Sequence, residues 1–271
     1  MKTWIALIVS AVVSGGAALF WVGAYDISAT DQHLAPTYWL LDIGMRRSVR
    51  ARAASIEVPK LDDAALQAEG LGLFRDLCVQ CHGAPGVPPA PFALGMTPVP
   101  ANLVHTARAW KPAEIYWTLR EGIKMTGMPA WRYRLSDRQL WSIVAFMREQ
   151  LPRLSPQDYA NAAAASAPIA AREEKPLLAP SADRGRRAMQ QYACVTCHVI
   201  PGVVGSNAPV GPPLTGMGSR KFIAGVLPAS TDNLVWWLRA PHLVSERNAM
   251  PDLGVTEQDA RDMAAYLMTL R

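Results

Sequence analysis

The stretch Cys78-Val79-Gln80-Cys81-His82 decides how this chain is read, and it returns as Cys194-Val195-Thr196-Cys197-His198. Cys-x-x-Cys-His is the attachment signature for c-type haem. Each cysteine sulfur adds to one porphyrin vinyl group, and the adjoining histidine gives the iron its proximal nitrogen ligand. The spacing serves the chemistry: two intervening residues span the vinyls, and the next position falls beneath the metal. All four cysteines of the chain lie in these two motifs. Two covalently attached haems are therefore expected, on Cys78 with Cys81 and on Cys194 with Cys197, with His82 and His198 as metal ligands. The rival readings explain less. A redox dithiol needs no following histidine and usually opens a helix in a βαβ unit. A zinc ion shared by two Cys-x-x-Cys pairs leaves both histidines without a role.

The rest of the chain fits that chemistry. Its 271 residues suffice for two domains of about 100 residues with extra segments. No structural disulfide is expected, since the haems consume the thiols. The formal charge of +5 is spread evenly, with no basic tract, and four haem propionates would nearly cancel it. Nucleic acid is excluded as a partner on that ground.

Ahead of the motifs, an apolar run extends from Trp4 to Tyr25. At ~1.5 Å per residue it spans roughly 33 Å, enough for a ~30 Å hydrocarbon core. Trp4, Trp21 and Tyr25 sit at its two ends, where interfacial aromatics belong. Lys2 precedes it and Asp26 and Asp31 follow, so the positive-inside rule leaves Met1 in the cytoplasm and sends the remainder outward. The competing reading is a cleaved signal peptide ending near Val22-Gly23-Ala24, but the run exceeds the ~7–15 residues of a usual signal core. A transmembrane anchor or signal-anchor is expected over 1–25, and a juxtamembrane segment over 26–61. Within that segment the spacing predicts a helix over 37–53, with Tyr38, Leu41, Met45 and Val49 on one face and Arg46, Arg47, Arg50 and Arg52 in its second half. It suits anionic headgroups, a membrane partner, or simply solvent.

Residues 62–152 read as the first haem domain. A helix capped by Asp62 or Asp63 runs to Leu77 and carries Gly70 and Phe74. A second helix spans Pro112 to Gly122. Ser136-Asp137-Arg138-Gln139 is a capping box that opens a last helix with Leu140, Ile143, Val144, Phe146 and Met147. Residues 153–181 are rich in Ala and Pro, with a mixed-charge cluster at 172–175, and read as an irregular linker. Residues 182–271 repeat the first domain. Ser181 or Asp183 caps a helix to Tyr192, Thr231 caps the Leu234–Arg239 block, and Thr256 caps a final helix carrying Met263, Tyr266, Leu267 and Leu270. The blocks at 115–120 and 234–239 are expected to wall the haems.

These features resemble the class I c-type cytochromes. In that family a glycine and an aromatic on the helix before the haem motif pack against the domain's last helix, as Gly70 and Phe74 would. Gly185 precedes its cysteine by nine residues where Gly70 precedes its own by eight, so the contact in the second domain is expected to shift, with Met189 near the aromatic's place. The resemblance implies an all-α fold of two such domains in tandem after a transmembrane helix. It also implies a loop carbonyl for each proximal histidine, with Pro100 a candidate in domain 1 and Gly211-Pro212-Pro213-Leu214 matching the family's loop in domain 2. Gly127-Met128-Pro129 and Met250-Pro251 resemble the family's distal-ligand loops. Met128 and Met250 are thus the expected second iron ligands, with Met96, Met125 and His105, and Met217 and His242, as their rivals. The resemblance is to membrane-anchored dihaem cytochromes in particular. It implies single-electron transfer on the periplasmic face of a bacterial cytoplasmic membrane, between a dehydrogenase or quinol-oxidising complex and a terminal oxidase or soluble cytochrome. The alternatives are a dihaem peroxidase or sulfur-oxidising enzyme with one open haem, and a fixed cytochrome subunit of a larger complex.

Overall fold

A computed structural model describes residues 2–167, 176–205 and 210–271. The chain divides into two units, Met1–Ala171 and Arg172–Arg271. Both are helical. The first opens with α1, Lys2–Trp21, a twenty-residue apolar helix that buries none of its side chains. α2 covers Ala35–Ala53, two residues earlier at its start than the spacing predicts, because Pro36 occupies the first turn. Only its second half follows the expected face. Val49 and Ala53 are buried, whereas Tyr38 and Leu41 stand exposed.

The first haem-motif domain is built on α3, Ala64–Leu77. Asp63 is its cap, accepting the Leu66 N–H at 3.0 Å. Three short helices follow: α4 (Val79–His82), α5 (Pro91–Leu94) and α6 (Leu103–Ala109). α7 covers Pro112–Glu121, where the Glu114 carboxylate accepts the Lys111 N–H at 3.0 Å. α8 covers Asp137–Glu149 behind a complete capping box between Ser136 and Gln139. α3 and α8 cross at Gly70. A Cβ there would overlap the Ser142 carbonyl oxygen, so only glycine lets the two backbones meet. One turn on, Phe74 and Phe146 are fully buried with ring centroids 5.2 Å apart. Tyr116 of α7 stacks on Trp141 of α8 at 4.1 Å and donates to Asp137 at 2.9 Å. Burial and that carboxylate push the Tyr116 hydroxyl up to about 12.

The 153–181 segment departs from the expected irregular linker. Pro156–Ala165 forms α9, capped by Ser155 and packed on domain 1 through Tyr159, which lies edge-on to Phe74 at 6.4 Å. Arg75 holds its end through the carbonyls of Ala163 and Ser166. The alanines are good helix formers and Tyr159 supplies a buried anchor, which together outweigh the prolines at the segment's margins. The 172–175 charge cluster lies outside the described residues.

The second unit repeats the plan with α10 (Ala182–Gln191), α11 (Thr231–Arg239), α12 (Pro241–Val244) and α13 (Glu257–Leu267). Ser181 caps α10 and Thr256 caps α13. The cap of α11 is Ser230, whose hydroxyl accepts the Asn233 N–H at 3.1 Å; Thr231 is the first helical residue. A two-residue β-hairpin, β1 (Phe222–Ile223) with β2 (Leu227–Pro228), turns the chain ahead of α11. α10 meets α13 at Gly185, where a Cβ would overlap the Asp262 carbonyl oxygen. The contact has not shifted. The extra residue before Cys194 is taken up outside the helix, at Ala193, which adopts a left-handed conformation (φ 55°). Met189, four residues after Gly185 as Phe74 is after Gly70, is buried. Asp262, also buried, receives Arg184 at 2.7 and 2.8 Å, the Ser181 N–H at 2.7 Å and Gln258 at 3.1 Å.

Two consequences are measurable by thermal unfolding of the full chain. Gly70→Ala and Gly185→Ala should each destabilise their own domain by about 1–3 kcal/mol or more, because a methyl is forced against backbone, while the other domain's transition stays in place. Asp262→Asn should cost domain 2 about 1–3 kcal/mol, by leaving the Arg184 and Ser181 donors poorly matched.

Candidate haem sites

Cys78 ends α3, and the next turn, α4, delivers Cys81 and His82 before Gly83 (φ 66°) breaks the helix. A Cβ on Gly83 would crowd the Val87 carbonyl, so the turn that returns the chain to the haem motif depends on this residue. His82 Nδ1 lies 2.7 Å from the Ala101 carbonyl oxygen. The acceptor is Ala101 and not Pro100, the residue proposed from sequence. Asn102 is committed as the cap of α6, accepting the Val104 and His105 N–H groups at 3.0 and 3.2 Å, and Ala101 is the last carbonyl before that cap. In the second domain His198 Nδ1 lies 2.8 Å from the Pro212 carbonyl, as the loop pattern implies. Here the ring also rests on Gly211, where a Cβ would collide with the imidazole.

Both histidines are therefore arranged alike. Nδ1–H donates to a backbone carbonyl, which leaves Nε2 with its lone pair as the metal-binding atom. Burial holds the His82 imidazole below the usual histidine range, with the Ala101 bond acting in the opposite sense. None of the four cysteines is joined in a disulfide. Burial pushes Cys78 up to about 12 and Cys194 up to about 11. Among the described residues, neither unit by itself brings three or more His, Cys, Asp or Glu together to hold a metal ion. Two thiols and one Nε2 per motif are the donor set that covalent haem requires.

Met128 sits half-buried against the domain 1 core that also contains Cys78. Its loop folds back on Gly122 (φ 67°), which a Cβ would block against the Met128 carbonyl and the following residues. Met250 is likewise half-buried. The two loops share a device that sequence reading missed. The Met128 N–H donates to Thr126 Oγ1 at 3.1 Å, and the Met250 N–H donates to Asn248 Oδ1 at 2.8 Å. Both acceptors are anchored, Thr126 to the Ile123 carbonyl at 2.8 Å and Asn248 to the Pro241 carbonyl at 2.9 Å. Of the rivals, Met125 is 89 % exposed, and His105 and His242 are exposed as well. Met96 places its methyl over Gly127, beside the Met128 loop, and Met217 is buried next to Gly218. A further residue outside the expected domain borders the first site. The Tyr159 hydroxyl of α9 is buried and has no hydrogen-bond partner among the described residues. Burial first, and the nearby Cys78 thiol next, raise its pKa. Trp236, expected in a haem wall, is half-exposed on α11, whereas Leu234 and Leu238 of the same block face the core.

Residues 65–147 match the family model for cytochrome c oxidase, cbb3-type, subunit III, and residues 182–271 match the model for cytochrome c. Two curated relatives are both named cytochrome c oxidase subunit 2. The protein from Alkalihalophilus pseudofirmus is 33 % identical over 91 residues, covering 33 % of this chain and 26 % of the relative. The protein from Bacillus sp. strain PS3 is 29 % identical over 102 residues, covering 36 % and 29 % respectively. The chain thus spans under a third of the length of these relatives. No solved structure matches it significantly. With haem-binding donor sets in both helical units and a family match over each, the protein belongs to the cytochromes c and carries two cytochrome c-type domains in tandem behind an apolar amino-terminal helix.

Proposed function

We propose that the chain holds two covalent haems and passes single electrons at the outer face of a bacterial cytoplasmic membrane, to which α1 anchors it. Cys78 and Cys81 would form the thioethers of one haem, and Cys194 and Cys197 those of the other. His82 with Met128, and His198 with Met250, would ligate the two irons. The observation that carries this reading is the paired arrangement of the histidines, each with Nδ1 given to a backbone carbonyl at 2.7 or 2.8 Å and Nε2 left for metal. When bound, such a haem supplies a one-electron couple at iron. The protein's residues set its potential and exclude substrate. The carbonyl at Nδ1 raises the basicity of the imidazole. A neutral thioether favours the ferrous state relative to a second imidazole. Met128 and Met250, in loops pinned by Thr126 and Asn248, would give each iron a second protein ligand, which suits a carrier better than a peroxidase or a sulfur-oxidising enzyme.

The relatives narrow the setting. Residues 65–147 match an oxidase-subunit model and the two curated relatives are named oxidase subunits, which supports delivery of electrons from a dehydrogenase or quinol-oxidising complex to a terminal oxidase. The match of domain 1 to an oxidase subunit favours a fixed place in such an assembly over a freely diffusing carrier. Purification in mild detergent tests this directly, with an oxidase subunit expected in the same complex.

Met128→Ala and Met250→Ala should each remove one haem's share of the methionine–iron charge-transfer band and lower that haem's potential, with both haems still attached on a denaturing gel. Unchanged spectra in both variants would discard the ligand assignment, and rapid cyanide binding by the unaltered protein would favour an open-haem enzyme. Thr126→Val and Asn248→Leu should weaken the same band without loss of haem, and Thr126→Ser should restore it. Cutting the purified haem protein after Tyr25 should make it extractable from the membrane by alkaline carbonate, where the uncut protein needs detergent, with both haem spectra intact.

A further inference from the structure

The two halves of α2 face different surroundings. The second half is docked on domain 1. Val49 and Ala53 are buried, the Arg46 guanidinium lies over the Trp110 ring at 5.7 Å, and Arg50 reaches the buried Glu114 of α7 at 3.8 Å. The first half carries Tyr38, Trp39, Leu40 and Leu41 in succession, exposed by 60, 63, 64 and 50 %. Four consecutive helical residues, at ~100° each, point around most of the circumference. No rotation of α2 against domain 1 would hide them all. Leu34, just before the helix, is 63 % exposed as well. An apolar collar of this kind on a docked, arginine-rich helix calls for a cover outside the protein's own core.

Position and composition identify the cover. Residues 22–34 alone separate α2 from α1, so at ~3.4 Å per residue the collar stays within roughly 45 Å of the end of α1. That connection is itself gathered in. Tyr25 donates to or accepts from His33 at 2.8 Å with the rings stacked, and Ala29 accepts the Thr97 hydroxyl of domain 1 at 3.2 Å. Tyrosine and tryptophan beside leucine are the side chains that favour the headgroup–acyl boundary. Exposed Arg47 and Arg52 follow, as suits anionic headgroups.

We propose that the first two turns of α2, with Leu34, insert into the boundary layer of the bilayer that α1 crosses, and so fix domain 1 on the membrane surface instead of leaving it on a loose tether. This rests on α1 being the anchor, and the test separates the two ideas. The full-length haem protein, with a protease site inserted after Gly23, is reconstituted into vesicles of phosphatidylcholine and phosphatidylglycerol and followed by flotation. Because α1 buries no residue, cutting it away leaves both cores whole. The cut protein should remain on the vesicles. Tyr38→Ser combined with Trp39→Ser, Leu40→Ser and Leu41→Ser should lower its partition coefficient by about 100-fold or more after cutting. The uncut variant should still float, with unchanged haem spectra. Tyr38→Phe with Leu41→Ile should stay bound when cut. Release of the cut wild-type protein, while the uncut form floats, overturns the collar and spares the anchor. Uncut protein that does not float overturns both. Retention on native membranes but not on protein-free vesicles makes the cover a protein, and overturns the lipid assignment.

Discussion

Each domain depends on two helices meeting with no side chain between them. At Gly70 against Ser142, and at Gly185 against Asp262, a single added carbon would overlap a backbone carbonyl. The crossing fixes the first helix of the domain against the last, and the Cys-x-x-Cys-His turn follows that helix, directly in domain 1 and after Tyr192 and Ala193 in domain 2. Helix packing at van der Waals contact is stiff, since interiors are as dense as organic crystals. A displaced crossing would therefore move the cysteines and histidine together, relative to the loop that must supply the carbonyl. The glycines lie eight and nine residues from the chemistry, yet they position all of it.

The two domains satisfy this constraint with different materials. Domain 1 fills the turn beyond the glycine with Phe74 and Phe146 and extends the aromatic cluster outward through Tyr159 of α9. Domain 2 places Met189 there, whose flexible thioether fills irregular space. It also builds a polar lock around Asp262 where domain 1 has Ser142. A buried carboxylate is tolerated because a guanidinium, a backbone N–H and an amide all donate to it. Domain 1 gains apolar cover from segments outside its haem domain, α2 and α9. Domain 2 draws its extra order from hydrogen bonds inside its own helices.

Much of this was open to reading from residues alone, and the reasons differ by feature. The haem motifs are local and chemically overdetermined, so Cys78, Cys81, His82 and their counterparts stand out. Helix starts were visible at Ser136 with Gln139 and at Thr256, because a cap is written in adjacent residues. At Ser230 and Thr231 two hydroxyl residues compete for one cap and only geometry decides. Within the linker, Pro156–Ala165 is helical although a run of alanines among prolines lacks an apolar stripe, because Tyr159 docks on Phe74. The carbonyl behind His82 was displaced by one residue, since backbone acceptors carry no side-chain signature. The one-residue offset before Cys194 implied a shifted helix contact, but a left-handed Ala193 absorbs it without moving the helix.

The methionine loops show why some site residues escape sequence comparison even within one chain. Thr126 and Asn248 are unlike in size and chemistry, and their surroundings differ. What recurs is a side-chain oxygen two residues before the methionine that accepts the methionine N–H, on a side chain that itself donates to a backbone carbonyl, through Oγ1 in Thr126 and Nδ2 in Asn248. That bond fixes the backbone from which the thioether projects. A constraint on one atom's position admits any side chain that can place an acceptor there. The repeat therefore lies in one hydrogen bond and not in residue identity.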